Sequence, residues 1–128
     1  MKFALIVLSP PASVASYSAY NFARAVISSG HQLATVFFYQ DGVYNGNELT
    51  TPPQDELNLT RLWQSLRDDS PVELTVCIAA GIRRGVLDSA EAVRHHKVAG
   101  NLADGFTLGG LGLLVDAANH CDRLVTFG

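Results

Sequence analysis

Residues 72–86 read VELTVCIAAGIRRGV, and they contain a predicted strand followed directly by a predicted helical turn. The first half of this stretch alternates apolar and polar side chains, which predicts a short β-strand. The residues after Cys77 are small and then basic, which favours a short helical turn. A cysteine is therefore predicted where a strand ends and a helix begins.

Strands and helices alternate along the rest of the chain. Residues 3–8 form a continuous apolar run, typical of a central parallel strand covered on both faces. Further strands are predicted at residues 31–39 and 124–127, and a fifth is allowed within residues 97–107. A helix is predicted from a cap at Ser13 to a C′ glycine at Gly30, and others at residues 55–67 and 108–120. Asp88 and Glu91 are spaced as a capping box, which predicts a short helix at residues 88–94. This order predicts one α/β domain over residues 1–128, with three α/β/α layers and a mostly parallel sheet of four to five strands.

Two stretches carry expectations about the surface of this fold. Residues 41–53 are rich in turn-forming residues and are predicted to be a loop of about a dozen residues, long enough to suggest a functional role. In the last helix, the spacing predicts that Leu111, Leu114, Val115 and Ala118 face inward. Cys121, just before the last strand, is predicted to be a packed core thiol.

The composition argues against several classes of function. With 48% hydrophobic and 16% charged residues, the chain is too apolar to be disordered. Its net charge of −3 argues against direct binding of nucleic acid, which needs a basic face. No apolar run approaches the roughly 20 residues that span a bilayer, and the first one is too short for a signal peptide. The sequence therefore predicts a cytoplasmic protein that does not bind a membrane.

Cys77 is the leading candidate for chemistry, because ligands collect at the carboxyl ends of the strands in open α/β sheets. The N-terminus of a helix favours an anion, so this position favours a thiolate, and Arg83 and Arg84 are predicted to support it. The alternative is that Cys77 is an inert core residue. Tyr44 is either part of the lip around Cys77 or an aromatic residue that anchors its own turn.

Cys77 and Arg83 also satisfy the Cys-x5-Arg spacing by which phosphatase-type loops hold an oxyanion. The next residue is a second arginine rather than a hydroxyl that would help a leaving thiolate, and Asp41 is the conceivable general acid. A metal site is not indicated, because the separations between the two cysteines, His95 and His96 match no compact set of ligands.

Several short segments, ordered from one end of the chain to the other, add a further observation. They are KFA at residues 2–4, FFY at 37–39, GVYN at 42–45, VCIAA at 76–80, RRG at 83–85, NL at 101–102, GFTL at 105–108 and CDR at 121–123. Together these segments resemble the DsrE/DsrF-like family of sulfur-relay proteins, and the resemblance covers almost the whole chain.

The resemblance implies a three-layer α/β/α fold and a persulfide sulfurtransferase subunit whose sulfur-bearing cysteine falls on Cys77. It also implies a TusA-like donor, a TusE-like acceptor, and TusB-like and TusC-like sister subunits in a hetero-oligomer. The sulfur would finally reach the 2-thiouridine of tRNA wobble positions, and neither a metal nor a nucleotide cofactor is implied. Two alternatives remain open: a Cys-x5-Arg phosphatase or arsenate-reductase-like enzyme, and a non-catalytic interaction subunit in which Cys77 is inert.

Overall fold

The computed structural model describes residues 1–128 and contains five strands, five α-helices and one 3-10 helix. Along the chain these are β1 (Lys2–Val7), α1 (Val14–Ser28), β2 (Gln32–Phe38), the 3-10 helix (Gln40–Gly46), α2 (Leu59–Asp69), β3 (Glu73–Cys77), α3 (Ile78–Arg83), α4 (Ser89–Arg94), β4 (Phe106–Gly109), α5 (Leu111–His120) and β5 (Arg123–Phe127). None of the helices combines the length and the apolar character that a membrane span requires.

The five strands form one sheet in the order β4-β3-β2-β1-β5, and all four pairings are parallel. The register aligns Val7 with Phe38 and Phe38 with Val76, so large apolar side chains stand side by side on one face. Parallel strands need crossover connections, which place the helices over the faces of the sheet. The predicted α/β class is confirmed, and the sheet has five strands that are parallel throughout.

The helices cover the sheet from both sides. On one side, the ring of Trp63 in α2 lies 5.4 Å from that of Phe38 and 5.3 Å from that of Tyr20 in α1. On the other side lies α5. Its Leu113 packs so closely on Gly109, the last residue of β4, that a Cβ at this glycine would collide with Leu113 and with Thr75 of β3. This is the predicted three-layer α/β/α arrangement.

Local signals set the helix ends as the sequence predicts. Ser13 Oγ accepts a hydrogen bond from the N–H of Ala15 at 3.2 Å. Asp88 Oδ1 accepts one from the N–H of Glu91 at 2.9 Å, and both contacts satisfy backbone donors in the first turn of a helix. Gly30 follows α1 with a φ of +83°, a conformation that favours glycine at a helix end.

Two predictions about the surface are wrong. The stretch after β2 is not an open loop at its start, because Gln40–Gly46 form the 3-10 helix, in which Gly42 and Val43 are buried. The predicted inward face of α5 is also wrong: Ala117 is its only buried residue. Ala118, predicted to face inward, is exposed.

The reason for the second error is the composition of α5, which is apolar around most of its circumference. Leu111 is 48% exposed and Val115 is 59% exposed, whereas Leu114 is partly buried against the core. Spacing identifies an inward face only when the outward face is polar. Here the position of the helix on the sheet decides which side is covered.

Candidate functional site

Cys77 is the last residue of β3 and the N-cap of α3, which is the junction that the sequence predicts. Its backbone has φ −58° and ψ 120°, and its side chain accepts no capping hydrogen bond from the helix. The side chain is 1% exposed and belongs to the hydrophobic core. In the isolated chain the thiol is therefore shielded from solvent.

Cys77 stands on the face of the sheet that α5 covers. Because side chains alternate along a strand, Cys77 stands on the same face as Thr75. Its register neighbour on β4 is Gly109, where a Cβ would lie 2.4 Å from Leu113 Cδ1 of α5. The first turn of α5 thus closes on the sheet beside Cys77, although Ala117 is the only residue that this helix buries.

The two arginines do not form a cradle around the thiol. Arg83 is the last residue of α3 and is exposed, about 9 Å from Cys77 along the helix axis. Arg84 Nε forms an ion pair with Asp41 Oδ1 at 2.8 Å, and its Nη1 donates to the carbonyl of Ala80 at 3.2 Å. The structure therefore shows Arg84 joining α3 to the 3-10 helix.

Tyr44 lies in the 3-10 helix, which packs against β3 and α3. Its side chain is half-buried and packs against the hydrophobic core to which Cys77 belongs. This contact fits the anchoring role that the sequence leaves open for Tyr44.

A buried polar cluster, which the sequence analysis missed, fixes the 3-10 helix. Asn45 is fully buried, and its Nδ2 donates to the carbonyl of Gly42 at 2.9 Å and lies 3.2 Å from that of Ser9. Its Oδ1 accepts from Trp63 Nε1 at 3.3 Å, and Ser16 Oγ donates to the Ser9 carbonyl at 2.6 Å. A buried indole needs an acceptor, but its partner lies 18 residues away and only the fold identifies it.

Asn101 is a second residue that the sequence analysis did not single out for function. Its Nδ2 donates to the carbonyl of Gly85 at 2.9 Å and to Asn47 Oδ1 at 3.1 Å. Its Oδ1 accepts from the N–H of Leu87 at 3.0 Å, and its carbonyl accepts from the N–H of Glu48 at 2.7 Å. The turn after α3, the end of the 3-10 helix and the approach to β4 are thereby held together.

Cys121 lies apart from Cys77, at the junction of α5 and β5. It is half-buried and lines a cavity of ≈ 360 Å³ together with Lys2, Glu73 and His120. The packed core thiol is therefore Cys77 rather than Cys121. No group of three or more His, Cys, Asp or Glu side chains is placed to hold a metal ion.

Comparison with known proteins identifies the family. The model of the DsrE/DsrF-like family matches residues 1–127. The chain belongs to the DsrE/DsrF-like family. Among curated members, Sulfurtransferase TusD of Klebsiella pneumoniae (strain 342) is 51% identical over 128 residues, which cover 99% of this chain and 100% of the relative. The ychN protein of E. coli superposes with a TM-score of 0.75 at 21% identity, over 99% of this chain and 100% of that chain, which shows that the fold is shared.

The geometry gives the phosphatase-like alternative no support. In a Cys-x5-Arg loop the guanidinium returns to the thiol, but here the intervening residues form α3 and Arg83 is exposed at its far end. Asp41, the conceivable general acid, is paired with Arg84. The DsrE/DsrF-like membership and the place of Cys77 at a strand end are the observations that bear on function.

Proposed function

We propose that this chain is a sulfurtransferase: a single-domain subunit of a cytoplasmic persulfide relay in which Cys77 carries sulfane sulfur. The observation that carries the proposal is the position of Cys77 at the carboxyl end of β3, where α3 begins, in a chain 51% identical to a protein named Sulfurtransferase TusD. Ligands and chemistry collect at this edge of parallel sheets.

The proposed chemistry consists of two thiol–persulfide exchanges without net oxidation. The Cys77 thiolate attacks the terminal sulfur of a donor persulfide, so an S–S bond forms at Cys77 while the donor's S–S bond breaks and the donor thiolate leaves. An acceptor thiolate then attacks the terminal sulfur on Cys77, and the Cys77 thiolate leaves. Neither step needs a metal or a nucleotide. A resolving cysteine beside Cys77 would discharge the persulfide, and Cys121 lies on a different element.

The burial of Cys77 adds a requirement to this function. A thiol that is 1% exposed cannot meet a donor, so the chain has to open at this site before sulfur is exchanged. α5, whose first turn closes on the sheet beside Cys77, buries one residue and has an exposed apolar face. We therefore propose that α5 moves to open the site.

The proposed partners are those that the resemblance to the DsrE/DsrF-like family implies. A TusA-like protein would donate the sulfur and a TusE-like protein would accept it, for 2-thiolation of the wobble uridine of tRNA. TusB-like and TusC-like sister subunits would complete a hetero-oligomer, and the exposed apolar residues of α5 are suited to such an interface. With a net charge of −3, this chain would not itself bind the tRNA.

Intact mass spectrometry tests the proposal. The chain, alone and assembled with its sister subunits, is incubated with a persulfidated TusA-like donor and its mass is measured without reducing agent. Wild type and Cys121→Ser are expected to gain one sulfur atom, whereas a folded Cys77→Ser protein gains none. Either of two results contradicts the function: no gain by wild type in both forms, or one sulfur atom on Cys77→Ser.

A further inference from the structure

A groove of ≈ 660 Å³, here called the α3 groove, lies beside the end of α3. Its apolar lining includes Leu49, Ile82 and Leu87, and its polar lining includes His95 and Lys97. No Asp or Glu contributes to the lining. The volume is within the range of protein pockets that bind ligands.

The charge around the α3 groove differs from that of the rest of the chain. Residues 78–101 contain four Lys or Arg and two Asp or Glu, whereas the remainder contains five basic and ten acidic residues. Glu91 pairs with both Arg94 and His95, but Lys97 and the exposed Arg83 have no acidic partner. The groove therefore presents unpaired positive charge on an acidic protein.

The surroundings of the α3 groove are those of a protein-docking surface. Leu49 is 73% exposed and Val98 is fully exposed, so aliphatic side chains flank the cations. The lining contains no Phe, Tyr or Trp on which a base could stack, and Lys97 is its only Lys or Arg. Nucleic acids are held by several phosphate contacts and stacked bases, so the chemistry favours a protein partner.

We propose that the α3 groove docks an acidic segment, anchored by an apolar side chain, of the protein that exchanges sulfur with Cys77. The proposal rests on the function proposed above and names the chemistry of the partner. Cys77 caps α3, and Ile82 in the wall of the groove is only about 7.5 Å further along the same helix. A segment bound in the groove therefore holds its own protein beside the buried thiol.

The groove also contacts the segments that hold α3 in place. Asn101, which lines it, bonds to the carbonyl of Gly85 and to the N–H of Leu87. A partner in the groove thus touches the turn that follows α3 as well as the approach to β4. The α3 groove and the segments that hold α3 therefore form one continuous surface for the partner.

Direct binding tests the proposal without relying on sulfur chemistry. Fluorescence anisotropy measures the affinity of labelled TusA-like and TusE-like carriers for the Cys77→Ser chain, assembled with its sister subunits. Lys97→Glu combined with Leu49→Ser is expected to weaken binding of one carrier by about tenfold or more, and Lys97→Gln by less. The matched control, Arg24→Glu with Val14→Ser, likewise changes one cation and one aliphatic residue, on the exposed surface of α1, and is expected to bind as the parent does.

The outcomes separate the docking site from the chemistry. Added salt is expected to weaken the parent more than the Lys97→Glu, Leu49→Ser variant, because a screened charge pair is lost in the variant. The docking site is overturned if the variant binds both carriers with unchanged affinity. It is also overturned if the control loses as much affinity as the variant, or if the groove binds tRNA instead of a carrier. If wild type gains no sulfur but binding depends on the groove, the sulfur-carrier function fails while the docking site stands.

Discussion

Among single residues, the two cysteines have opposite environments. Cys77 ends a central strand and is packed into the core, whereas Cys121 is half-buried on the wall of a cavity. A reagent that must contact sulfur reaches Cys121 directly but reaches Cys77 only after local opening. The proposed sulfur carrier is therefore the less accessible of the two thiols until a partner binds.

In the isolated native chain, iodoacetamide is expected to label Cys121 at least about tenfold faster than Cys77, because modification of Cys77 waits for opening. Peptide mass mapping over time measures both rates. In urea the difference should vanish, which controls for the intrinsic reactivity of the two thiols. Equal rates in the native chain would show that Cys77 is not shielded.

Among the elements, the 3-10 helix is notable because its backbone packs directly against the backbone of β1. A Cβ at Gly42 would lie 1.9 Å from the carbonyl oxygen of Val7, so no larger residue fits without moving the helix. The same helix carries Asn45 and Tyr44, and it is tied to α3 by Asp41. Its fit against β1 therefore helps to set the surroundings of the cysteine at the start of α3.

Gly42→Ala is expected to lower the free energy of unfolding by about 3 kcal/mol, because the added methyl group collides with backbone rather than with a flexible side chain. Gly112→Ala is the matched control, since nothing lies within 4 Å of its Cβ position in the first turn of α5. That change should instead raise the free energy of unfolding by about 0.5–1 kcal/mol, the helix preference of alanine over glycine. Urea unfolding compares the two variants with wild type, and a neutral Gly42→Ala would refute the close approach.

For the molecule as a whole, the helical layer formed by α5 covers its face of the sheet less fully than α1 and α2 cover the other. α1 and α2 bury large side chains against one face of the sheet, whereas α5 covers the other face with one buried residue. The apolar side chains of α5 remain about half exposed, and Leu124 of the edge strand β5 is exposed as well. An apolar surface of this kind is typical of a protein that functions with other subunits.

When purified alone, the chain is expected to self-associate through α5, because its apolar residues have no partner. Sedimentation velocity over a range of concentrations measures the effect. Leu111→Glu combined with Val115→Glu should keep the chain monomeric, whereas Val14→Glu on the opposite side of the sheet should not. A wild-type protein that stays monomeric at all concentrations would argue against this surface.

The sequence by itself determined the class of the fold, because the relevant signals are local. The alternation of strands and helices, the cap at Ser13 and the glycine after α1 depend on neighbours within a few residues, and each was confirmed. The same holds for Cys77 at the end of β3. Membership in the DsrE/DsrF-like family was also readable from residues spread along the chain, and the comparisons confirmed it.

Only the tertiary structure decided which side of each element is covered and which distant residues meet. The spacing in α5 could not identify its buried side, because apolar residues surround the helix and the sheet selects one of them. Three features depend on contacts between elements that are distant in sequence: the Asn45–Trp63 hydrogen bond, the pairing of Arg84 with Asp41 and the burial of Cys77. Such contacts depend on the order and register of the strands, which a single sequence does not encode locally.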